Sequence, residues 1–297
     1  MALDAIQNFQ QLVETALENH CTISEVVLEY EMESTEKSRV ELLEQMLGNW
    51  RVMKNSVLEG MAKQEATMGG LVKGSASIVE AAIAAKRISE DRLSKTVLRA
   101  LAVAELNASM GLIVAAPTAG SCGILPAVLV TAQEEKNYPD DKIVMSLFTA
   151  AGIGLVLAKN ASIAGAEGGC QAECGSAASM AAGALTELAG GTVNQVAEAV
   201  ALSLKNVLGL TCDPVGGLVE VPCIKRNSFL AVNAIVASDL ALAGIRSVIP
   251  VDEVIGAMKE TGELMPLALK ETAQGGLAAT PTGKVIGKKL QEETFEK

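Results

Sequence analysis

The sequence predicts an all-α protein, a compact bundle of apolar helices with glycine-rich connecting loops. Three observations carry this. Apolar residues make up 49% of the 297 positions but aromatics only 2%, so alanine, leucine and valine must fill the interior. Small side chains let helices approach closely. Strand signals are sparse, and the best short one is "LVEV" at 218–221. No repeat period emerges, and glycine and proline concentrate in a few breaks between long apolar runs. The chain reads as one domain, 1–297, with a charged helical arm (1–62) ahead of a core (63–297).

The elements follow in order. Residues 4–20 read as a first helix. "TISE" (22–25) has the T-x-x-E pattern of a capping box and opens an amphipathic stretch running toward Ala62. Charges there are spaced for i,i+4 pairing on a solvated face, which reads as a surface hairpin or partner-contact arm. "TMGGLVKGSAS" (67–77) is the first break, and helices follow over 77–86 and 90–110. "APTAGSCGILPA" (116–127) is the second break. After the turn "NYPDDK", Asp140 is placed to cap a helix reaching Lys159. "GAEGGCQAECGS" (165–176) is the third break, before an alanine-rich helix. "TVNQ" (192–195) is a T-x-x-Q box starting a helix to about Leu208. "CDPVGGLVEVPC" (212–223) is the fourth break, followed by an apolar helix. Asp252 is expected to cap one more helix, and the glycine-rich segment 271–289 to be irregular.

Several function classes are excluded. A net charge of -11 repels nucleic acid and anionic membranes, and the scarcity of aromatics removes a stacking platform for single strands. The run Leu106–Gln133 has no charged residue and is long enough to cross a bilayer. Pro117, Gly120, Gly123 and Pro126 interrupt it, so a buried turn between two core helices fits better than a span. The first twenty residues lack the basic and apolar regions of a signal peptide. A cytoplasmic protein with reduced thiols is therefore expected, and its six cysteines are not read as disulfides.

The four breaks lie between strongly apolar helices, where irregular backbone must find partners for its N–H and C=O groups. Proteins accept that mostly where the backbone lines a site. Cys170, Cys212 and Cys223 each fall in a break, with Cys174 one turn beyond Cys170 and Cys122 in the second break. One reading of any such cysteine is a small buried hydrophobe. The other is a metal ligand in a turn whose free N–H groups point at sulfur. The C-x3-C pair lacks the company of a zinc knuckle, and the only histidine is His20. Thiolates suit an iron–sulfur cluster as well as zinc. The turn Thr118, Ala119, Gly120, Ser121 offers N–H groups and hydroxyls to a carboxylate or phosphate, or simply caps a helix. Lys225 and Arg226 follow Cys223 directly and can offset thiolate charge or serve as surface charges.

Four blocks together resemble the α subunit of the iron–sulfur-dependent L-serine dehydratases: "APTAGSCGILPAVL", "GAEGGCQAECGSAASMAAGAL", "LGLTCDPVGGLVEVPCIKRN" and "ETAQGGLAATPTGK". They run from about residue 65 to 285, and the C-x41-C-x10-C spacing matches the family's cluster ligands. The resemblance implies a [4Fe–4S] cluster on Cys170, Cys212 and Cys223, whose open iron binds the serine hydroxyl. It implies that Thr118, Ala119, Gly120 and Ser121 hold the substrate carboxylate, and that L-serine becomes pyruvate and ammonia. Cys122 and Cys174 are left as core thiols. Single-chain members carry an extra domain fused ahead of this one, so the resemblance is to the two-chain type and implies a β subunit in a hetero-oligomer. Where some members have "EHNLGLTCDP", this chain has Lys205 and Asn206 and no histidine, and it ends "EETFEK" without a terminal cysteine. The proton acceptor is open among Lys73, Lys205, Lys225 and the partner chain. Threonine as substrate, and a non-catalytic helical membrane or structural protein, are the alternatives at this stage.

Overall fold

Helix starts in this chain are written largely in capping residues. In the computed structural model, which describes residues 6–63 and 65–295, Ser38, Asp91 and Thr192 each accept a hydrogen bond from the N–H three residues on. In all three the third residue's side chain returns the bond, which satisfies two donors the helix leaves free. The "TISE" box is only half made. Thr22 accepts from the Glu25 N–H at 3.3 Å, but the Glu25 carboxylate turns away to the Arg39 guanidinium at 2.7 and 2.8 Å. The amphipathic stretch running toward Ala62 is thus two helices, as a hairpin requires. Glu36 adopts a left-handed φ of 57°, which ends the first, and Ser38 restarts the chain.

The helices are α1 (Phe9–Glu18), α2 (Ile23–Thr35), α3 (Arg39–Ala62), α4 (Ser75–Ala84), α5 (Arg92–Asn107), α6 (Ile124–Lys136) and α7 (Asp140–Asn160). Then come α8 (Gly165–Gly168), α9 (Ser176–Leu188), α10 (Val193–Lys205), α11 (Cys223–Leu242), α12 (Val251–Leu264) and α13 (Pro281–Phe295). Among the described residues there is no strand, only isolated bridges pairing Ala66 with Lys73 and Cys212 with Lys270. The fold is all-α, as the composition predicts. The 218–221 segment is a turn instead of a strand, because the Glu220 carboxylate is drawn inward. It accepts from Thr67 Oγ1 at 2.5 Å and from the Gly69 and Leu71 N–H groups at 2.6 and 3.2 Å.

The alanine-rich α9 runs through the centre, buried along nearly its whole length, and packs on α6, α7, α10 and α11. Small residues set these distances. A Cβ on Gly60 of α3 would overlap the Ala102 carbonyl of α5, so that crossing requires glycine. In the N-terminal segment, charged residues occupy the outer face. Phe9, Leu12, Ile23, Val27 and Trp50 belong to the same core cluster as α6, α7 and α9.

Two expected caps act differently. Pro139 is the N-cap of α7, and Asp140 is its first residue. The Asp140 carboxylate accepts from Trp50 Nε1 at 2.9 Å, from Lys54 Nζ at 3.0 Å and from Gln133 Nε2 at 2.8 Å. Asp252, in the first turn of α12, accepts from the Phe9 and Gln10 N–H groups at 2.8 and 2.9 Å. It thus serves the start of α1. The C-terminal segment expected to be irregular folds from Pro281 onward as α13, since proline is well suited to a first helical position.

The uncharged run Leu106–Gln133 is no continuous helix. Helix α5 ends at Asn107, an irregular segment with a cis Ala116–Pro117 bond follows, and α6 starts at Ile124. Helix α7 is long and apolar enough to cross a membrane by length and composition, but 61% of its apolar window is buried inside the fold. It is a core helix, packed on α2 and α9.

Candidate functional site

The third break is helical after all. Short α8 ends at Gly169, whose φ of 75° and close approach to the Leu210 carbonyl both require glycine. Cys170 then leads into a π-helical turn, Gln171–Gly175, that runs straight into α9. Such turns recur at functional sites. This one gathers Cys170 Sγ, a Glu173 carboxylate oxygen and Cys174 Sγ within 4.8 Å of one another. Gln171, wholly buried, accepts from the Gly209 N–H at 2.9 Å and donates to the Met258 carbonyl at 3.0 Å. Its own N–H donates to the Leu210 carbonyl at 3.0 Å. One residue thereby ties the π-turn to the strand of chain that delivers Cys212.

Cys212 is held through its backbone. Its N–H donates to the Leu269 carbonyl at 2.9 Å, and its carbonyl accepts from the Glu271 N–H at 2.8 Å. The next residue, Asp213, is buried and accepts from Arg226 Nη2 and from the Leu277 N–H, both at 2.7 Å. Arg226 Nη1 also donates to the Thr211 carbonyl at 2.7 Å. Cys223 opens α11, one turn before Asn227. Cys170 from the third break and Cys212 and Cys223 from the two ends of the fourth are all buried, and they lie near enough for their charges to act on one another.

Burial pushes the Cys212 thiol far up, and raises Cys223 to about 12, the neighbouring sulfurs adding to both. Cys170 shifts down, because the Cys174 S–H donates to it and the Arg226 cation lies close. Cys174 rises, because it donates to Cys170 and is itself buried. Gly165 leaves space at this point: a Cβ there would stand 3.1 Å from Cys212 Sγ, 3.3 Å from Glu271 Oε2 and 3.5 Å from Glu173 Oε2.

Against the thiols lies the turn 118–121. Among the described residues, the N–H groups of Thr118, Ala119, Gly120 and Ser121 have no acceptor. Thr118 Oγ1 donates to Glu173 Oε1 at 2.6 Å, and Ser121 Oγ stands 2.9 Å from Thr118 Oγ1. The two hydroxyls therefore form a chain ending on Glu173, whose carboxyl is raised by burial. Asn227 joins the turn to α11. Its Nδ2 donates to the Gly120 carbonyl at 2.8 Å and to the Cys223 carbonyl at 3.0 Å, and its Oδ1 accepts from the Gly123 N–H at 3.0 Å.

Lys73 and Lys225 are exposed, and Lys205 Nζ donates to the Ser247 carbonyl at 2.6 Å. Cys122 is a buried core thiol, its S–H 4.0 Å from the Val103 carbonyl. Cys174 is a buried core thiol as well, and its sulfur adjoins that of Cys170. Two site residues escape the sequence reading, Glu173 and Asn227. The signal for Glu173 is its isolation, as the one charged residue between Gly168 and Thr186.

A family profile described as "Serine dehydratase alpha chain" matches residues 18–278. The chain belongs to the serine dehydratase alpha chain family. It is 50% identical over 288 residues to a Bacillus subtilis protein named "Probable L-serine dehydratase, alpha chain", covering 96% of this chain and 95% of that one. It is 44% identical over 285 residues to the "L-serine dehydratase, alpha chain" of Peptoniphilus asaccharolyticus, covering 96% and 98%. A Streptomyces coelicolor protein named "L-serine dehydratase" is 42% identical over 279 residues, 90% of this chain but 59% of that relative. The serine dehydratase alpha chain match contains all three break cysteines, the 118–121 turn, Glu173 and Asn227.

Proposed function

We propose that this chain is the catalytic α subunit of an L-serine dehydratase, a lyase that converts L-serine to pyruvate and ammonia. The observation that carries it is the meeting of three buried thiols with a turn of four free N–H groups. We assign Cys170, Cys212 and Cys223 as ligands of a [4Fe–4S] cluster. The donor set fits such a group. It is all soft sulfur, it is buried, a fixed guanidinium lies beside it, and Gly165 keeps the adjoining space free of a side chain. When bound, the cluster supplies Lewis acidity for the departing hydroxyl.

The chain's own residues do the rest. The N–H groups of Thr118, Ala119, Gly120 and Ser121 orient the substrate carboxylate, as backbone donors at a turn before a helix do. The Ser121 hydroxyl is wholly buried and holds Thr118, so it shapes the turn instead of meeting substrate. Glu173 fixes Thr118 from the thiol side, and Asn227 fixes Gly120 from the Cys223 side. Arg226 offsets sulfur charge while bound to Asp213.

Residues 1–297 act as one catalytic domain in this reading, in the cytoplasm, with a β subunit as partner. The α-chain names of its relatives support a second chain. The proton acceptor comes from Lys73, Lys205, Lys225 or that partner. The test is anaerobic assay of the chain with its second subunit, following pyruvate formed from L-serine. Steady pyruvate release is expected, and an iron-loaded pair that leaves serine unchanged contradicts the proposal.

A further inference from the structure

Phenylalanine is scarce in this chain, with four residues, and Phe9 and Phe148 are buried. Phe229 is 74% exposed on α11. It does not stand alone. Val232 and Val236 follow at i+3 and i+7, on the same helix face, and Val236 is 46% exposed. Helix α11 packs on α5, α6, α9 and α10, and its buried residues include Ile224, Leu230, Ala234 and Ile235. Beside Phe229 runs a groove of about 460 Å³, lined by Leu208, Leu210, Leu230 and, at its inner end, Arg226. The guanidinium at that end is the one that holds Asp213 and the Thr211 carbonyl next to Cys212. At the head of the stripe, Lys225 is exposed and makes no ion pair among the described residues.

We propose that this face of α11, centred on Phe229, docks the second subunit of the enzyme, through an apolar surface carrying an acidic group opposite Lys225. The occupant follows from the relatives' names. Those that this chain matches over 95% and 98% of their length are called alpha chains, a name that implies a second chain, and that chain needs a surface on this one. An aligned apolar stripe next to the thiol site is such a surface. Central aromatic anchors dominate interfaces of this kind. The inference rests on the dehydratase reading for the partner's identity.

The test uses the full chain and the second chain of the Bacillus subtilis enzyme as probe, with masses read by light scattering and affinity by calorimetry. Phe229→Asp and Val236→Asp are compared with Val285→Asp, a change on α13 at a residue 70% exposed. Wild type and Val285→Asp should form the mixed complex, and each α11 variant should bind at least about tenfold more weakly, as loss of a central anchor does. Undiminished binding by Phe229→Asp, or no binding by wild type, overturns the proposal. So does a wild-type chain that pairs with itself and becomes monomeric on Phe229→Asp. Pyruvate formation is followed in parallel. A complex that needs Phe229 but leaves serine unchanged keeps the docking face and removes the dehydratase reading, and serine turnover with a dispensable Phe229 does the reverse.

Discussion

Asn227 holds two parts of the site with one amide. Its Nδ2 serves the Gly120 and Cys223 carbonyls and its Oδ1 the Gly123 N–H. Asn227→Ala leaves those buried groups without partners, at about 1–3 kcal/mol for each buried orphan. The expected outcome is a lower melting temperature and a rise in serine KM of about tenfold or more. Asn227→Asp keeps the acceptor for Gly123 and should restore part of the KM. Steady-state kinetics on the three proteins checks this. Gly165→Ala is the second residue-scale prediction. Its Cβ would press on Cys212 Sγ at 3.1 Å, so iron content should fall, while Gly256→Ala, with nothing within 4 Å, should leave it unchanged. At this scale the sequence shows thiols well, because sulfur in a glycine-rich turn is conspicuous. It hides Asn227, two of whose three bonds depend on chain brought in from elsewhere.

Caps and close crossings govern the elements. The boxes at Ser38, Asp91 and Thr192 are local, and the T-x-x-Q pattern made the last of them legible. Asp140 and Asp252 look like local caps and are not, because each carboxylate found donors on a distant helix. A sequence pattern cannot tell a local donor from a remote one. Asp140 yields a pH prediction. Bonds from Gln133, Trp50 and Lys54 lower its pKa from 3.8 to about 2. The folded state thus favours the carboxylate more than the unfolded chain does. The stabilisation is complete above about pH 4 and fades as pH falls toward 2. The side chain is 42% exposed, so solvent screening keeps the effect modest. Denaturant titrations between pH 2 and 5 should show a shallower pH slope for Asp140→Asn than for wild type. An unchanged slope would remove Asp140 from the account.

Over the whole molecule, one alanine-rich core carries the site at the meeting of three glycine-containing breaks. The expected breaks proved part-helical: the π-turn after Cys170 and the start of α11 at Cys223 both extend helices into the site. Glycine count alone could not show this, since the buried π-turn finds its partners through Gln171. The central claim is that Cys170, Cys212 and Cys223 act as one ligand set for a cluster. Iron and acid-labile sulfide per chain, measured on anaerobically reconstituted protein, test it most directly. The account predicts about four of each per chain. Cys212→Ala should remove most of both, while Cys122→Ala, a core thiol away from the set, should retain them. Reconstituted wild type without iron, or Cys212→Ala with a full complement, would contradict it.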